Sequence, residues 1–241
     1  MKLRLILLVI PMLLIAFAWG VLTQRLNIFP YHQISFLYSL FLPSSPVRES
    51  FLSPQWKARK ESFDNFHPQA DVVMIGDSLT DWAEWQDMFP AVKIANRAIS
   101  GDTTEGVLER MPGIYAVNAQ KAFIMLGNND FTVINEEPDV VFGKYSRIID
   151  LLRAHGVRVY VVSTLFCNVK KLESCGAVNV KVNLLNARLA KIPDVVFIDL
   201  NNQLSDSRGL KDEFTEDGIH LTAEAYQVWK DTIQPFVIGR R

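Results

Sequence analysis

A serine at position 78 directly follows a short apolar run, in the stretch Asp71-Val-Val-Met-Ile-Gly-Asp-Ser-Leu-Thr80. The unbroken apolar residues Val72 to Ile75 are typical of a strand that is buried on both faces of a parallel sheet. Ser78 then lies on a strand-to-helix turn, at the carboxyl end of the strand, where ligands bind in open α/β sheets. A serine in this place acts as a nucleophile when a base reaches it. The same motif also suits an ordinary helix-capping serine.

Asp217 and His220 supply a candidate base, three positions apart in a polar loop before the last predicted helix. At this spacing the carboxylate can accept a hydrogen bond from Nδ1 of the imidazole, which leaves Nε2 to face the serine. A simple capping or loop hydrogen bond is the alternative explanation for the pair. For the other histidines, His32, His67 and His155, we expect surface roles.

Two residues that can stabilise a developing oxyanion follow the next predicted strands. Gly101 comes after the second strand, and its lack of a Cβ lets its backbone amide approach a ligand closely. Asn129 comes after the third strand and brings a side-chain amide donor. With the backbone amide of Ser78 they form a candidate oxyanion hole, although both residue types are also common in turns.

Three aspartates accompany these candidates. Asp102 and Asp130 directly follow the two oxyanion candidates, and we interpret them as turn residues or as supports behind the site. Asp77 precedes the candidate nucleophile, and we place it in the same supporting group.

Two tryptophans follow the candidate nucleophile. Asp81 suits the cap of a helix that starts at Trp82, and in such a helix Trp82 and Trp85 share one face. That face either forms an apolar wall for the substrate or packs in the core.

Short apolar runs alternate with amphipathic helical patterns along the chain. The predicted strands are Val72–Ile75, Val92–Ala95, Ala122–Leu126, Val157–Val162 and Val195–Ile198. This alternation predicts an α/β fold with a five-stranded parallel sheet and helices on both faces. The carboxyl ends of parallel strands share one edge of the sheet, so Ser78, Gly101 and Asn129 are expected to meet there.

The composition restricts the partners of the protein. The chain has 241 residues, of which 49% are hydrophobic, and a formal net charge of -1. This balance gives no electrostatic basis for nucleic-acid binding. No Cys-x-x-Cys or His-Glu-x-x-His motif is present, so we expect no metal and no other cofactor. Nothing in the sequence indicates an oligomeric state.

Cys167 and Cys175 are the two cysteines of the chain. In an oxidising compartment they would close a small loop through a disulfide. Because spacing does not determine the distance between the Cα atoms, two free thiols are the alternative.

Residues 1–22 have the pattern of a membrane anchor or a secretory signal. Lys2 and Arg4 precede an uncharged apolar run over residues 5–22. Positive charge before the run predicts that the rest of the chain lies outside the cytoplasm, on the periplasmic side, with residues 5–22 as a helical anchor in the inner membrane. Cleavage near Ala18 would instead release a secreted protein.

An arm rich in aromatic residues, leucine and proline covers residues 23–52. This arm either lies on the membrane surface or packs on the domain that follows. We predict that the domain occupies residues 53–241 and opens with a helix in which Ser53 is the cap and Pro54 lies in the first turn.

Four blocks of the sequence occur in a recognisable order. They are Gly76-Asp-Ser-Leu79, Gly101, Gly127-Asn-Asn-Asp130 and Asp217-Gly-Ile-His220. This order, which spans about residues 55–237, resembles the SGNH, or GDSL, hydrolase family. The resemblance implies a flavodoxin-like three-layer α/β/α sandwich and a serine esterase that needs no cofactor.

The resemblance also implies a role for each block. Ser78 would be the nucleophile, His220 the base and Asp217 the acid that orients the base. The backbone amides of Ser78 and Gly101 and the side chain of Asn129 would form the oxyanion hole.

The blocks differ in the branch of the family that they resemble. Ser100-Gly-Asp-Thr-Thr104 is similar to the platelet-activating-factor acetylhydrolase catalytic subunits, whereas residues 127–130 are closer to common bacterial esterases. We expect an esterase that removes a short acyl group, such as acetyl, from a cell-envelope glycan or a lipid. The alternatives are a lysophospholipase or thioesterase, an O-acyltransferase to an envelope polysaccharide, and a catalytically silent binding module.

Overall fold

The structure is a computed structural model that describes residues 53–239. The predicted apolar segment 1–22 and the aromatic arm 23–52 lie outside the described residues and stay predictions. Within residues 53–239, no helix combines the length and the hydropathy that crossing a membrane requires.

Five parallel strands form the central sheet of the described chain. They are β1 (Val72–Gly76), β2 (Ile94–Asn96), β3 (Lys121–Met125), β4 (Arg158–Val162) and β5 (Val196–Ile198). Their order across the sheet is β2-β1-β3-β4-β5, with every neighbouring pair parallel. The predicted α/β fold with a five-stranded parallel sheet is confirmed, and the strand order is that of flavodoxin-like folds.

Helices connect the strands and cover the sheet. In chain order they are α1 (Pro54–Asn65), α2 (Ser78–Asp81), α3 (Trp85–Met88), α4 (Thr104–Glu109), α5 (Met111–Tyr115), α6 (Asn128–Thr132), α7 (Pro138–Ala154), α8 (Cys175–Leu189), α9 (Asn201–Leu204) and α10 (Ala223–Ile238). Between α9 and α10 lie a short antiparallel hairpin, β6 (Ser205–Asp206) with β7 (Gly209–Leu210), and a 3-10 turn at Asp212–Phe214. Ser53 caps α1 and Thr222 caps α10.

Alternate side chains of β1 pack against two different helix layers. Val73 and Ile75 belong to a hydrophobic cluster that includes side chains of α7 and α8. Val72 and Met74 belong to a second cluster that includes side chains of α10. All four side chains are buried, which explains why the run is apolar without interruption. The sheet therefore lies between two helix layers.

The strand β1 lies between β2 and β3. The chain therefore passes from β1 to β2 on one side and then crosses to β3 on the other side. In flavodoxin-like sheets this reversal creates a crevice at the carboxyl ends of the strands. Gly76 pairs with Met125, so β1 and β3 end at the same level. Ser78, Gly101 and Asn129 each follow one of the three strand ends.

The helix after β1 begins earlier than predicted. It does not start at Trp82 with Asp81 as its cap; α2 starts at Ser78, and Asp77 is the cap. The carboxylate of Asp77 accepts the backbone N–H of Leu79 at 3.1 Å. Both aspartates suit a cap by type, but the carboxylate of Asp81 is bound by the loop that follows β2.

The helical region after Gly101 is divided into the two short helices α4 and α5. Thr103 caps α4, with its hydroxyl accepting the N–H of Gly106 at 3.1 Å. Pro112 lies in the first turn of α5, and proline has no N–H with which to continue the ladder of α4.

Candidate active site

Ser78, His220 and Asp217 form a hydrogen-bonded series. Ser78 Oγ lies 3.0 Å from Nε2 of His220. Nδ1 of His220 lies 2.6 Å from Oδ2 of Asp217. When Nδ1–H of an imidazole donates to a carboxylate, Nε2 can accept the proton of a serine hydroxyl. The structure thus brings the nucleophile and base candidates of the sequence within hydrogen-bonding distance.

The position of Ser78 is set by the tight passage from β1 into α2. A Cβ on Gly76 would lie 2.8 Å from the carbonyl oxygen of Met125, so only glycine fits beside β3. Ser78 is the first residue of α2. The hydroxyl of Tyr226 in α10 donates to the carbonyl oxygen of Leu79 at 2.8 Å, which fastens α2 to the last helix.

The loop before α10 holds Asp217 and His220 in their relative geometry. Oδ1 of Asp217 accepts the backbone N–H groups of Ile219 at 2.9 Å and of His220 at 2.8 Å. Thr215 and Leu221 form an antiparallel bridge that closes the loop. The carboxylate and the imidazole therefore form one locally bonded unit.

Opposing influences act on the pKa of Asp217. Desolvation raises it, whereas the hydrogen bond with the His220 side chain and the backbone N–H groups of Ile219 and His220 lower it, and the result is about 2. The carboxylate is therefore ionised at neutral pH. An ionised partner holds the imidazole in one tautomer and stabilises the imidazolium once it has taken a proton.

The oxyanion candidates Gly101 and Asn129 follow β2 and β3, the strands on either side of the strand β1 that leads to Ser78. Gly101 has a φ of 79°, a left-handed conformation that glycine adopts without strain. Nδ2 of Asn129 donates to the backbone oxygen of Asp102 at 2.9 Å. A side-chain amide carries two N–H groups, so this bond orients Asn129 and the second N–H can serve a ligand.

Asp102 is the centre of a buried polar cluster behind Gly101. Its Oδ2 lies 2.7 Å from Nε and 2.7 Å from Nη2 of Arg110. Its Oδ1 accepts the indole N–H of Trp56 at 2.9 Å and the backbone N–H of Thr103 at 3.0 Å. Burial raises the pKa of Asp102, and the guanidinium of Arg110 acts in the opposite direction. The Asp102 side chain thus supports the Gly101 turn from inside the protein.

Asp130 and Asp77 are two further buried carboxyl groups. Asp130 accepts hydrogen bonds from the hydroxyl and the backbone N–H of Thr104. Burial raises the pKa of Asp130 to about 6, against the effect of these bonds. Burial likewise raises the pKa of Asp77 to about 7, against the hydrogen bond from Leu79. Both carboxyl groups accept backbone N–H groups, Asp130 from Thr104 and Asp77 from Leu79.

Trp82 and Trp85 do not share a helix face, which corrects the prediction. α2 ends before Trp82, and Trp85 opens the separate helix α3. Trp82 is 54% exposed, and its ring stacks on His220 with the ring centroids 4.1 Å apart. Trp85 is 2% exposed and packs edge-on against Trp229. Trp82 borders the site, whereas Trp85 is a core residue and forms no substrate wall.

Comparison with known proteins identifies the family. Residues 74–228, more than half of the chain, match the GDSL-like lipase/acylhydrolase family. The chain belongs to this family. It is accordingly a hydrolase that acts on ester bonds, and the family and enzyme class expected from the sequence are confirmed.

Two relatives of this GDSL-like acylhydrolase differ in the share of their length that it covers. It is 29% identical over 185 residues to platelet-activating factor acetylhydrolase IB subunit alpha2 from Gallus gallus, covering 71% of this chain and 79% of that protein. It is 22% identical over 179 residues to N-acylneuraminate cytidylyltransferase from Streptococcus agalactiae, covering 74% of this chain. The acylhydrolase spans only 41% of the length of the cytidylyltransferase.

Solved structures share the fold of the acylhydrolase. A candidate acylhydrolase from Bacteroides fragilis superposes with a TM-score of 0.67 at 25% identity, covering 76% of this chain and 95% of the other. A GDSL-like lipase from Bacteroides thetaiotaomicron superposes with a TM-score of 0.66 at 23% identity, covering 76% and 96%.

A series of hydrogen bonds that the sequence did not reveal connects Trp82 of the acylhydrolase to the loop after β2. The indole N–H of Trp82 donates to Ser100 Oγ at 3.1 Å, and Ser100 Oγ donates to Oδ2 of Asp81 at 2.7 Å. Asp81 also pairs with Arg59 of α1 at 3.2 Å. Ser100 precedes Gly101, so this series links the stacked tryptophan to the oxyanion side of the site.

Arg110 and Trp56 are two further residues that sequence reasoning missed. Arg110 follows its partner Asp102 by eight positions and lies between α4 and α5. Trp56 lies 46 positions from Asp102, and no local pattern connects the two.

The two cysteines of the acylhydrolase are paired in the structure. Cys167 and Cys175 are joined by a disulfide, with their Cα atoms 5.5 Å apart. Both side chains are buried, and Cys175 is the first residue of α8.

Across residues 53–239, no group of three or more His, Cys, Asp or Glu side chains is arranged to hold a metal ion. His67 and His155 are exposed, as a surface role requires, and His32 lies outside the described residues.

Proposed function

We propose that this GDSL-like acylhydrolase is a serine esterase with Ser78 as nucleophile, His220 as general base and Asp217 as the residue that orients the base. The observation that carries the proposal is the hydrogen-bonded series from Ser78 Oγ through His220 to Asp217 Oδ2. A serine hydroxyl becomes an effective nucleophile when a base takes its proton, and such help contributes roughly 10²–10⁴ in rate.

The reaction begins when Ser78 Oγ attacks the ester carbonyl carbon and Nε2 of His220 takes the hydroxyl proton. Negative charge develops on the carbonyl oxygen, where the amides of Ser78 and Gly101 and Nδ2 of Asn129 would donate, each contributing about 10²–10³. His220 then gives the proton to the leaving alcohol, and the acyl group stays on Ser78. A water molecule, deprotonated by His220, then attacks the acyl group on Ser78 and releases the carboxylic acid.

The exposure of the base supports hydrolysis over acyl transfer. The side chains of Asp217 and His220 are 55% and 28% exposed, so solvent reaches the base along its own loop. An O-acyltransferase has to exclude water while a sugar hydroxyl takes up the acyl group. A base that is open to solvent suits water as the acceptor.

We propose an ester of a short acyl group, such as acetyl, on a cell-envelope glycan as the substrate. The half-exposed indole of Trp82 beside His220 provides a flat surface for a sugar ring or a lipid. The likeness to a platelet-activating factor acetylhydrolase subunit supports an acetyl group, and the partial likeness to a cytidylyltransferase of N-acylneuraminate supports a sugar. A lipid ester or a thioester is the alternative substrate.

We further propose that the esterase works outside the cytoplasm, on the periplasmic side of the inner membrane. Residues 5–22 would anchor it, or would be removed as a signal. The disulfide between Cys167 and Cys175 supports an oxidising compartment.

The test follows the hydrolysis of p-nitrophenyl esters, from acetate to long acyl chains, by the full-length protein and its Ser78→Ala variant. We expect turnover that requires Ser78 and falls as the acyl chain lengthens, together with acetate release from an O-acetylated envelope glycan. A preference for long chains would instead favour a lipid substrate. Full activity of the Ser78→Ala variant, or no turnover by folded parental protein, would overturn the esterase.

A further inference from the structure

The segment between Cys167 and Cys175 is fastened to the protein at both ends. Cys175 is the first residue of α8, and the disulfide joins Cys167 to it. The side chain of Asn179, also in α8, binds the backbone of Cys167 twice: Oδ1 accepts its N–H at 2.9 Å and Nδ2 donates to its carbonyl oxygen at 2.8 Å. α8 contributes side chains to the hydrophobic core, so the segment is attached to a well-packed helix.

The same segment also contacts the loop that carries His220, the candidate catalytic base. The backbone N–H of Asn168 donates to the carbonyl oxygen of Gly218 at 2.8 Å. Nζ of Lys171 donates to the carbonyl oxygens of Thr215 and of Glu216, the latter at 3.1 Å. Three backbone carbonyls of the loop are therefore held by the segment.

Asn168 also fixes the inner shape of the segment. Its side chain is buried, and Nδ2 donates to the carbonyl oxygen of Leu210 at 2.7 Å and to Oδ1 of Asp212 at 2.8 Å. Its Oδ1 accepts the backbone N–H of Lys171 at 2.9 Å. The position of the Lys171 backbone thus follows from a buried, fully engaged amide.

The loop needs such contacts, because the bonds of Asp217 are internal to it. Asp217 accepts hydrogen bonds from Thr215, Ile219 and His220, all in the same loop. These bonds set the geometry between carboxylate and imidazole. They do not set the distance between the imidazole and Ser78, which depends on contacts from outside the loop.

We propose that the Cys167–Cys175 segment is a brace that positions the Asp217–His220 loop against Ser78, with Lys171 as a positioning residue. The inference rests on the proposed function, since it concerns the base of that esterase. Without the lysine the loop gains freedom to carry the imidazole away from Ser78 Oγ. Proton transfer depends on that distance, so the loss falls on kcat rather than on KM.

The first experiment compares Lys171→Met with Lys170→Met in the full-length protein. The two lysines are adjacent on the brace, but Lys170 pairs with Asp212 at 2.7 Å and serves as the matched control. We expect kcat for p-nitrophenyl acetate to fall about fivefold to tenfold in Lys171→Met, with KM and the urea midpoint unchanged. Lys171→Arg keeps donors at this place and should recover most of the loss. Equal kcat values in the two Met variants would overturn the brace.

The second experiment removes the disulfide with the Cys167→Ser/Cys175→Ser double variant. We expect kcat to fall about tenfold, with KM within about twofold of the parent, at a temperature well below the unfolding midpoint. A folded double variant with the parental kcat would contradict the proposal. If the double variant does not fold, the lysine series decides.

A third experiment separates positioning of the base from a general structural effect. In a His220→Ala background, Lys171→Met should change the residual kcat by less than about twofold, because no base is left to position. An undiminished effect in that background would overturn the brace. Activity that survives Ser78→Ala would overturn the esterase itself, whatever the lysine variants do.

Discussion

Asp102 and Asp217 both support the candidate site, and their surroundings are opposite. Asp102, behind the oxyanion side, is 0% exposed and lies against the buried guanidinium of Arg110. Asp217, beside the histidine, has a side chain that is 55% exposed and bonds within its own loop. A buried charge depends on its partner for folding, whereas an exposed one is solvated with or without it. The oxyanion side is therefore tied to the stability of the protein, and the histidine side mainly to its chemistry.

The largest effect we expect is on activity, at the exposed side. Asp217→Asn should lower kcat/KM by about 10⁴, because an amide that donates to Nδ1 favours the wrong imidazole tautomer. The free energy of unfolding in urea should change by no more than about 0.5 kcal/mol, since asparagine can still accept the two backbone N–H groups. A large loss of stability in this variant would contradict the assignment of Asp217 to chemistry rather than to stability.

A large effect on stability is expected at the buried side. Arg110→Met leaves Asp102 buried without its cation and should lower the free energy of unfolding by about 3–5 kcal/mol. Arg59→Met is the control, because Arg59 is 41% exposed where it pairs with Asp81. Exposed pairs of this kind contribute about 0–1 kcal/mol. Equal losses in the two variants, measured by urea unfolding, would contradict the distinction.

A substitution of Asn129 should affect both activity and stability. Asn129→Ala removes a candidate oxyanion donor and should lower kcat by about 10²–10³ with KM nearly unchanged. It also removes the bond to the Asp102 carbonyl, so a stability loss of about 1 kcal/mol is expected. Steady-state kinetics and urea unfolding of the same variant measure both. A rise in KM alone would argue against the oxyanion role.

The smallest effect we expect is on the pH dependence of the free energy of unfolding, which distinguishes buried from exposed carboxyl groups. The folded-state pKa of Asp77 is raised to about 7, so its contribution to stability is present below the unfolded value and is lost as the pH rises through about 7. Asp77→Asn removes this titration and keeps an acceptor for Leu79. Between about pH 5 and 8 we expect the parental protein to lose roughly 1–3 kcal/mol more than the variant.

Asp217 should show the opposite sign in a separate titration at acidic pH, below about pH 4. Its folded-state pKa is lowered to about 2, so its contribution is present above the unfolded value and is lost as the pH falls through about 2. Parallel pH profiles of parental and Asp77→Asn proteins would show that Asp77 does not titrate as its burial implies.

The parts of the fold that could be predicted are those in which local sequence and burial agree. The run Val72–Ile75 is apolar because both faces of β1 are covered, so its sequence alone identified a central strand. The start of α2 could not be predicted in this way. Asp77 and Asp81 both suit a cap, and the choice depends on Ser100, which binds Asp81 from another loop.

The candidate site shows the same limit. The spacing of Asp217 and His220 was sufficient to pair them, because their bonds are local. The relation of Trp82 to Trp85 depended on a helix that ends at Asp81, so helical spacing misplaced them. The remaining supports, such as Trp56 on the oxyanion side, come from distant parts of the chain and leave no local pattern.

The candidate nucleophile and base are separated by 142 positions, one after the first strand of the sheet and the other just before the last helix. A chain that is still being made therefore holds the candidate nucleophile without the candidate base. Under the proposed mechanism, hydrolysis requires the last helix to dock, since His220 lies just before that helix and Tyr226 in it donates to the carbonyl oxygen of Leu79, next to the serine. If Ser78 and His220 act as proposed, ester cleavage reports the completion of folding.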